Sequence, residues 1–553
     1  MKRRDFLKIS ALSSVALVAA AWQPTTTTKA VSATVPSAAQ KTPEKIETIF
    51  TGEIEFYAMT YTPTSEYPDP DPAAPVREAM KTLATEWMVL HPDIQLTFHL
   101  GPPSGTIDYY NWLYTQLIGG TGPDIFWIWL SSLNQFADED KVVPLNTYLE
   151  LPNAYTPADT TAWKNTFKSP FQTSFSPNGL WGGIPMDLVS TGIYCNVDMF
   201  EAVGIDLTTD IVPELGSPAN WATLIEWCNK IKDYGKFAFS MGPYIREWWL
   251  QGVLVDQLFW NLKSTFDVLN YHEQPPMLWQ EDIISQEELI MQYSCSNWKA
   301  FEEPAARAIF EIYKDLTQYM PDGFMDPDMW YTYDQFIEGD LAMYWDGCWQ
   351  LNSIIKDPRR AFDFTSFWLP PLTQETTPLA KDPPILPIGV GGYGSISYGI
   401  NHKCVAKGNV AECVDWLMFI STPDNDELVV NEVPSFIPSN KKAESLPEVK
   451  YMSVGETRMV AGAGHPWPTP MYWFSATDYS YTNTFQREMT MYLLNEQNLD
   501  TFMAHTDAAA HSALPGIIRA SAIQYSYSGN WDLTEWTCQP KAFFEVNLPV
   551  VRK

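Results

Sequence analysis

Hydrophobic and polar positions alternate along Gly52-Glu53-Ile54-Glu55-Phe56-Tyr57-Ala58-Met59 and give way to the polar loop Thr60-Tyr61-Thr62. A period of two predicts a strand with one face buried. Over 73–91 the apolar residues Val76, Met80, Leu83 and Trp87 recur at helical spacing, and His91-Pro92-Asp93 breaks the run. Ile94-Gln95-Leu96-Thr97-Phe98 reads as a second strand, Tyr109 to Ile118 as a helix stopped at Gly119-Gly120, and Gly122 to Trp127 as a third strand. This rhythm predicts a parallel sheet covered by helices.

A second informative stretch is Phe336-Ile337-Glu338-Gly339-Asp340-Leu341-Ala342-Met343-Tyr344-Trp345-Asp346-Gly347-Cys348-Trp349. Gly339 suits a helix stop, because glycine takes a left-handed conformation without a Cβ penalty. Leu341 to Trp345 has the length and apolar character of a strand buried on both faces. Asp346 and Trp349 then fall where that strand ends and a helix begins, the edge at which open α/β sheets bind ligands. Asp346 is an ionised acceptor for hydroxyl groups or, alternatively, the cap of the following helix. Tyr344 and Trp345 point to opposite faces of the strand, so at most one can face a site.

The same edge argument selects other residues. Trp127 and Trp129 share a face by period two, and Trp129, nearer the strand end, is the site candidate while Trp127 reads as core. Tyr61 closes the loop after the first strand and is a candidate on the same ground.

The N-terminus reads as a targeting segment. Lys2-Arg3-Arg4-Asp5-Phe6-Leu7-Lys8 gives a twin-arginine region, Ile9 to Ala21 is a short apolar run, and Ala19-Ala20-Ala21 is a small-residue cleavage site. Residues 1–21 are therefore expected to be an export signal, and the Thr/Ala/Pro-rich residues 22–48 a flexible linker. The protein is expected to leave the cell through the twin-arginine pathway and to work in the periplasm or outside, associated with the envelope. No further run of about 18 apolar residues follows, and no Cys near the cleavage site points to a lipid anchor.

Composition narrows the partners. The chain has 553 residues and a net charge of −31, which disfavours nucleic acid and anionic membranes, since both need cationic patches. Its 23 Trp and 27 Tyr supply many flat apolar faces, the kind that stack on the C–H faces of pyranose rings, although core packing also uses them. Seven Cys, at 195, 228, 295, 348, 404, 413 and 538, form no C-x-x-C pair and no metal spacing, so neither cofactor nor metal is expected. Cys404 and Cys413 are the first pair to test for a disulfide. Asp138-Glu139-Asp140 reads as a solvated loop, and the Pro/Asp run at 67–72 lacks the spacing of a Ca²⁺ loop. No Gly-x-Ser-x-Gly elbow is present, while a facing pair of carboxylates, as a glycosidase needs, stays open.

Six blocks in order resemble the bacterial extracellular solute-binding proteins of ABC transporters, the family that includes maltose-binding protein. They are TQLIGGTGPDIFWIWLSSLNQFADEDKVVPLNTYL, GGIPMDLVSTGIYCNVDMFEAVGID, PANWATLIEWCNKIKDYG, FIEGDLAMYWDGCW, the pair GSISYGINHKC and AECVDWLMFISTPDNDEL, and FIPSNK. The resemblance implies an α/β, two-lobed, hinge-linked fold of the type II periplasmic-binding-protein kind, with a ligand cleft between the lobes. It places an N-terminal lobe at 49–187 plus about 385–421, a C-terminal lobe at 191–384 plus about 422–514, and leaves 515–553 as a tail extension. Crossovers are expected near 187–190, 370–389 and 421–423.

By the same resemblance Trp349 falls on the family's cleft tryptophan, Tyr398 on an aromatic of the strand returning to the first lobe, and Trp473 where relatives place a stacking aromatic. Asp187 lies at the first crossover. The substrate-binding set is thus Trp349, Asp346, Asp187, Trp129, Tyr61, Tyr398 and Trp473, with no catalytic residue. The implied function is non-catalytic capture of a mono- to oligosaccharide by a monomer and its delivery to ABC permease subunits in the membrane. Alternatives are a peptide or polyamine as solute, a sensory role at a receptor, and a secreted carbohydrate-active enzyme.

Overall fold

The computed structural model describes residues 49–524 apart from internal stretches at 69–75, 103–106, 169–179, 244, 267–283, 285, 297, 327, 388–395, 450–469 and 475–479. The export signal and linker expected at 1–48, and the end of the tail at 525–553, lie outside the described residues.

Eleven strands build the framework among the described residues: β1 Gly52–Phe56, β2 Ile94–Phe98, β3 Ile125–Trp127, β4 Gly183–Pro185, β5 Asp187–Leu188, β6 Thr191–Asn196, β7 Phe237–Met241, β8 Leu341–Gly347, β9 Phe364–Phe367, β10 Ser397–Ile400 and β11 Ile437–Pro438. They form a five-stranded sheet in the order β2-β1-β3-β10-β4, a four-stranded sheet β7-β8-β6-β9, and a two-stranded ribbon β5-β11 between them.

In the first sheet β1 runs parallel to β2 in the register Gly52↔Ile94 to Phe56↔Phe98, and parallel to β3 at Phe56↔Ile125. The alternation read from the sequence shows as Ile54 and Phe56 buried beneath exposed Gly52 and Glu53. The sheet is mixed rather than parallel throughout, because β10 arrives from far along the chain and lies antiparallel to both β3 and β4. Helix α1 Ala79–Leu90 covers it with Met80, Leu83 and Trp87. Val76, expected on that apolar face, precedes the helix and is 71 % exposed.

Two helices from late in the chain, α2 Val410–Ile420 and α3 Pro423–Glu432, complete this lobe by burying Trp416, Leu417, Val429 and Val430 in its core. Glu432 also accepts from the first free amides of α1, at Glu78 and Ala79, over 2.9–3.1 Å. A carboxylate at a helix N-terminus satisfies orphan amides and complements the helix dipole. The Ser421-Thr422-Pro423 stretch, expected as a crossover, is instead the turn between these two helices, with Pro423 in the first helical turn where its missing N–H costs nothing.

The second sheet centres on β8. All seven of its residues are buried, since β7 pairs with it in parallel, β6 pairs antiparallel, and apolar clusters cover both faces. Trp345 enters the larger cluster and Tyr344 the smaller, as strand alternation requires. Gly339 ends the preceding helix at φ +76°. The last long helices, Ser480–Leu493 and Leu499–Gln524, add Tyr481, Phe485, Phe502 and Ile517 to the larger core. Residues 515–524 of the expected tail therefore continue the final helix.

The ribbon marks the crossing. Asp187↔Pro438 and Leu188↔Ile437 pair antiparallel, so the first passage between the lobes lies against a later one. Cys404 and Cys413, the first pair to test for a disulfide, are both buried free thiols. The Cys404 thiol faces the Asp124 carbonyl and carboxylate at 3.7 and 3.5 Å.

A candidate ligand cleft at the hinge

The first wall is the carboxyl edge of the first sheet. After β1 the chain turns through a single 3-10 turn, Met59–Tyr61, with Met59 at φ +54°. A left-handed non-glycine residue costs about 1–3 kcal/mol and persists where its surroundings fix it. Here Thr62 donates to the Met59 carbonyl at 3.1 Å, and Tyr398 from β10 donates to the Ala58 carbonyl at 2.9 Å. After β3 the half-buried Trp129 packs edge-on against Trp127 at 5.7 Å. Its indole N–H donates to the Tyr110 hydroxyl at 2.8 Å.

The root of the hinge is a buried polar cluster. Tyr61 donates to Asp187 Oδ2 at 2.7 Å, and the Ile396 amide donates to Asp187 Oδ1 at 2.9 Å. Tyr61 thus joins the β1 loop to one crossover, and Ile396 brings in the segment that returns to β10. Burial raises the Tyr61 phenol far above its ordinary value and the Asp187 charge adds to this, so the phenol stays a donor. On the other side of the ribbon Asp426 accepts from the Asn440 amide at 2.6 Å and the Ser439 hydroxyl at 3.3 Å. Burial pushes Asp426 up to about 8, against the lowering pull of the Asn440 amide.

The second wall is the end of β8. Asp346 is buried and accepts from the Tyr344 hydroxyl, from the Gly347 amide at 2.7 Å and from Gln350 Nε2 at 3.3 Å. Burial pushes its carboxyl up to about 6, with the Tyr344 hydrogen bond opposing. Gly242, just past β7, is needed for this arrangement: a Cβ there would lie 2.4 Å from Asp346 Oδ2. Trp349 is half-buried and meets Trp249 of the π-helical turn Ile245–Trp249 edge-on at 5.5 Å. The Cys348 amide donates to the Ser190 carbonyl at 2.8 Å, which fastens this wall to the start of β6, next to the ribbon.

The structure joins Tyr61 to Asp187 with Tyr398 beside them, sets Asp346 and Trp349 at and just after the end of β8 and Trp129 just after β3, and gives these six different exposures. Trp129 and Trp349 are half-buried. Tyr61, Asp187 and Asp346 are buried and bonded within the protein. Tyr398 is fully buried, its ring 4.9 Å from Phe56. Trp473 is separate: it is fully buried among Phe259, Trp298 and Phe301 in the second core. Tyr110 and Trp249, beside the two half-buried indoles, were not singled out from the sequence. The only signals for them were the aromatic run Tyr109-Tyr110-Asn111-Trp112 and the pair Trp248-Trp249.

Two cavities lie elsewhere. One of about 280 Å³ is lined by Asn196, Lys236, Glu338 and Arg359 among others, and one of about 200 Å³ by Asp159, Asn165, Lys441 and Lys442 among others. Their charges pair internally, Lys236 with Asp340 and Lys442 with Asp159, each at 2.7 Å. Among the described residues no group of His, Cys, Asp and Glu could hold a metal ion, and no helix is long and apolar enough to cross a membrane.

A family model described as bacterial extracellular solute-binding protein matches residues 73–418. Among solved structures, the apo form of RafE from Streptococcus pneumoniae is similar at a TM-score of 0.53 and 15% identity, over 84% of this chain and 98% of that one. The sugar-binding protein MalE from Xanthomonas citri has a TM-score of 0.53 at 14% identity, over 84% and 98% of the two chains. The ABC substrate-binding protein Lmo0181 from Listeria monocytogenes, in complex with cycloalternan, has a TM-score of 0.51 at 14% identity, over 84% and 100%. No curated protein sequence matches. The fold is that of the two-lobed periplasmic binding proteins.

Proposed function

This chain belongs to the bacterial extracellular solute-binding protein family, and we propose that it captures a mono- to oligosaccharide and hands it to an ABC permease by closing its lobes. The family and fold are those of exported binding proteins and not of enzymes. The observation that supports a sugar is the pair of half-buried indoles, Trp129 just after β3 of the first sheet and Trp349 just after β8 of the second. Flat apolar rings at a cleft suit the C–H faces of pyranoses. The sugar-binding MalE and the cycloalternan-bound Lmo0181 among the structural neighbours support the same class.

A cationic solute is less well served by these walls. Asp187 and Asp346, the two carboxylates among the expected site residues, are buried and already accept hydrogen bonds from Tyr61, Ile396, Gly347 and Gln350. They hold the hinge and the second wall in shape, and the ligand meets rings.

In this reading the ribbon is the flexing part, and ligand binding shifts the population toward the closed form that a permease engages. The protein is a monomer exported through the twin-arginine signal at 1–21. Titration calorimetry of the full chain against neutral saccharides, short peptides and polyamines tests it. Binding of at least one saccharide is expected. Failure of every saccharide, together with tight binding of a peptide or polyamine, overturns the assignment.

A further inference from the structure

The Trp129–Tyr110 pair says more about the ligand than the presence of an indole does. The Trp129 N–H, its one hydrogen-bond donor, is taken by the Tyr110 hydroxyl at 2.8 Å, so the ring offers a ligand its face and no polar atom. A hydroxyl carries one proton and two lone pairs. The Tyr110 oxygen accepts from Trp129, and among the described residues no acceptor takes the Tyr110 proton. Tyr110 is itself only partly buried. Its position is fixed from below: the adjacent Tyr109 is fully buried, donates to the Trp127 carbonyl at the end of β3, and packs edge-on against Tyr110 at 5.7 Å. The helix Ile107–Ile118 is thereby tied to the strand that delivers Trp129.

We propose that Tyr110 is a further ligand-contacting residue, whose hydroxyl donates to an oxygen of a pyranose lying on the Trp129 ring. The inference rests on the carbohydrate reading above and sharpens it. This corner of the cleft combines a stacking face with one neutral hydroxyl beside it. That pairing matches a sugar, which presents an apolar C–H face rimmed by hydroxyl and ring oxygens. It offers nothing to balance a charged group. Burial keeps the phenol protonated, since it raises the Tyr110 ionisation above its ordinary value.

Calorimetry on the full chain with glucose, maltotriose, raffinose, xylotriose and chitotriose tests the inference, using wild type, Tyr110→Phe, Trp129→Phe and the double variant. Tyr110→Phe keeps the ring and removes one hydrogen bond, so the saccharide bound by wild type is expected to weaken about fivefold, with an unchanged melting temperature. The same loss is expected when Tyr110→Phe is added to Trp129→Phe, where the indole N–H is already gone. A silent Tyr110→Phe in a protein that binds sugar overturns this inference and leaves the carbohydrate reading standing. A loss that vanishes in the Trp129→Phe background also overturns it, because Tyr110 would then act only by holding the indole. If wild type binds no saccharide and binds a peptide or polyamine tightly, both readings fall together.

Discussion

Tyr61 and Asp187 lie 126 residues apart in sequence and meet in a 2.7 Å hydrogen bond. Both are buried, Asp187 completely, and the second carboxylate oxygen is occupied by the Ile396 amide. A buried carboxylate at a crossing needs its donors, because leaving one lone pair unmet costs about 1–3 kcal/mol. Tyr61→Phe removes one donor and little volume. It is expected to lower unfolding free energy by that amount in urea denaturation, while saccharide affinity changes less than twofold. An affinity loss of tenfold or more with normal stability would place Tyr61 on the ligand instead.

Trp349 and Trp473 differ in exposure, the first partly buried and the second fully buried. Trp349 is only partly buried, and Trp349→Ala is expected to weaken saccharide binding at least tenfold without unfolding the second lobe. Trp473 is fully buried against three aromatic rings. Removing a buried Trp side chain leaves a cavity and costs about 3–5 kcal/mol. Trp473→Ala should therefore lower the melting temperature while the folded fraction binds with nearly wild-type affinity. Unchanged binding by Trp349→Ala, measured by calorimetry, would assign that indole to packing.

Much of the fold was legible because it is local. The strand Ile94–Phe98 has the bounds read from the sequence and buries Ile94 and Leu96, and nearness to the strand end separated buried Trp127 from half-exposed Trp129. What could not be read were the long-range partners. Tyr61 and Asp187 looked like ligand contacts because each stands at a strand end. Only the fold shows that they satisfy each other. Trp473 has no local periodicity that reveals the rings of Phe259, Trp298 and Phe301 it packs against, each more than 170 residues earlier in the chain. Ser421-Thr422-Pro423 has the composition of a crossover, yet Ser421 is buried and accepts from Trp163 Nε1 at 2.9 Å inside the first lobe. The actual passage is the short ribbon strand Ile437–Pro438, too brief for a pattern to announce.

The thiols offer a test of burial. Cys195, Cys228, Cys348, Cys404 and Cys413 are buried and free, whereas Cys295 is disulfide-bonded. Burial pushes the Cys348 thiol up to about 12 and raises those of Cys195 and Cys228 further, so the reactive thiolate is scarce at neutral pH. Native protein is expected to react slowly with a thiol reagent, and denaturation without reductant should release at least five reactive groups. A count of three after denaturation would restore a Cys404–Cys413 disulfide.

Two buried carboxyls make stability depend on pH in a direction opposite to that of a salt-bridged acid. An aspartate in the unfolded chain titrates near about 3.9. In the folded protein burial lifts Asp346 to about 6 and Asp426 to about 8. The folded state therefore binds more protons than the unfolded state between these values, and unfolding free energy falls as pH rises. The contribution of each group is full below pH about 4 and is lost through about 6 for Asp346 and about 8 for Asp426. Asp426 also accepts from the Asn440 amide beside the ribbon, so its ionisation acts where the lobes are joined. Asp426→Asn cannot ionise and should flatten the slope between pH 6 and 9. Urea denaturation of wild type and variant across that range should give a stability difference that grows in favour of the variant as pH rises. Parallel curves would show that Asp426 stays in one protonation state throughout, and that the hinge does not titrate there.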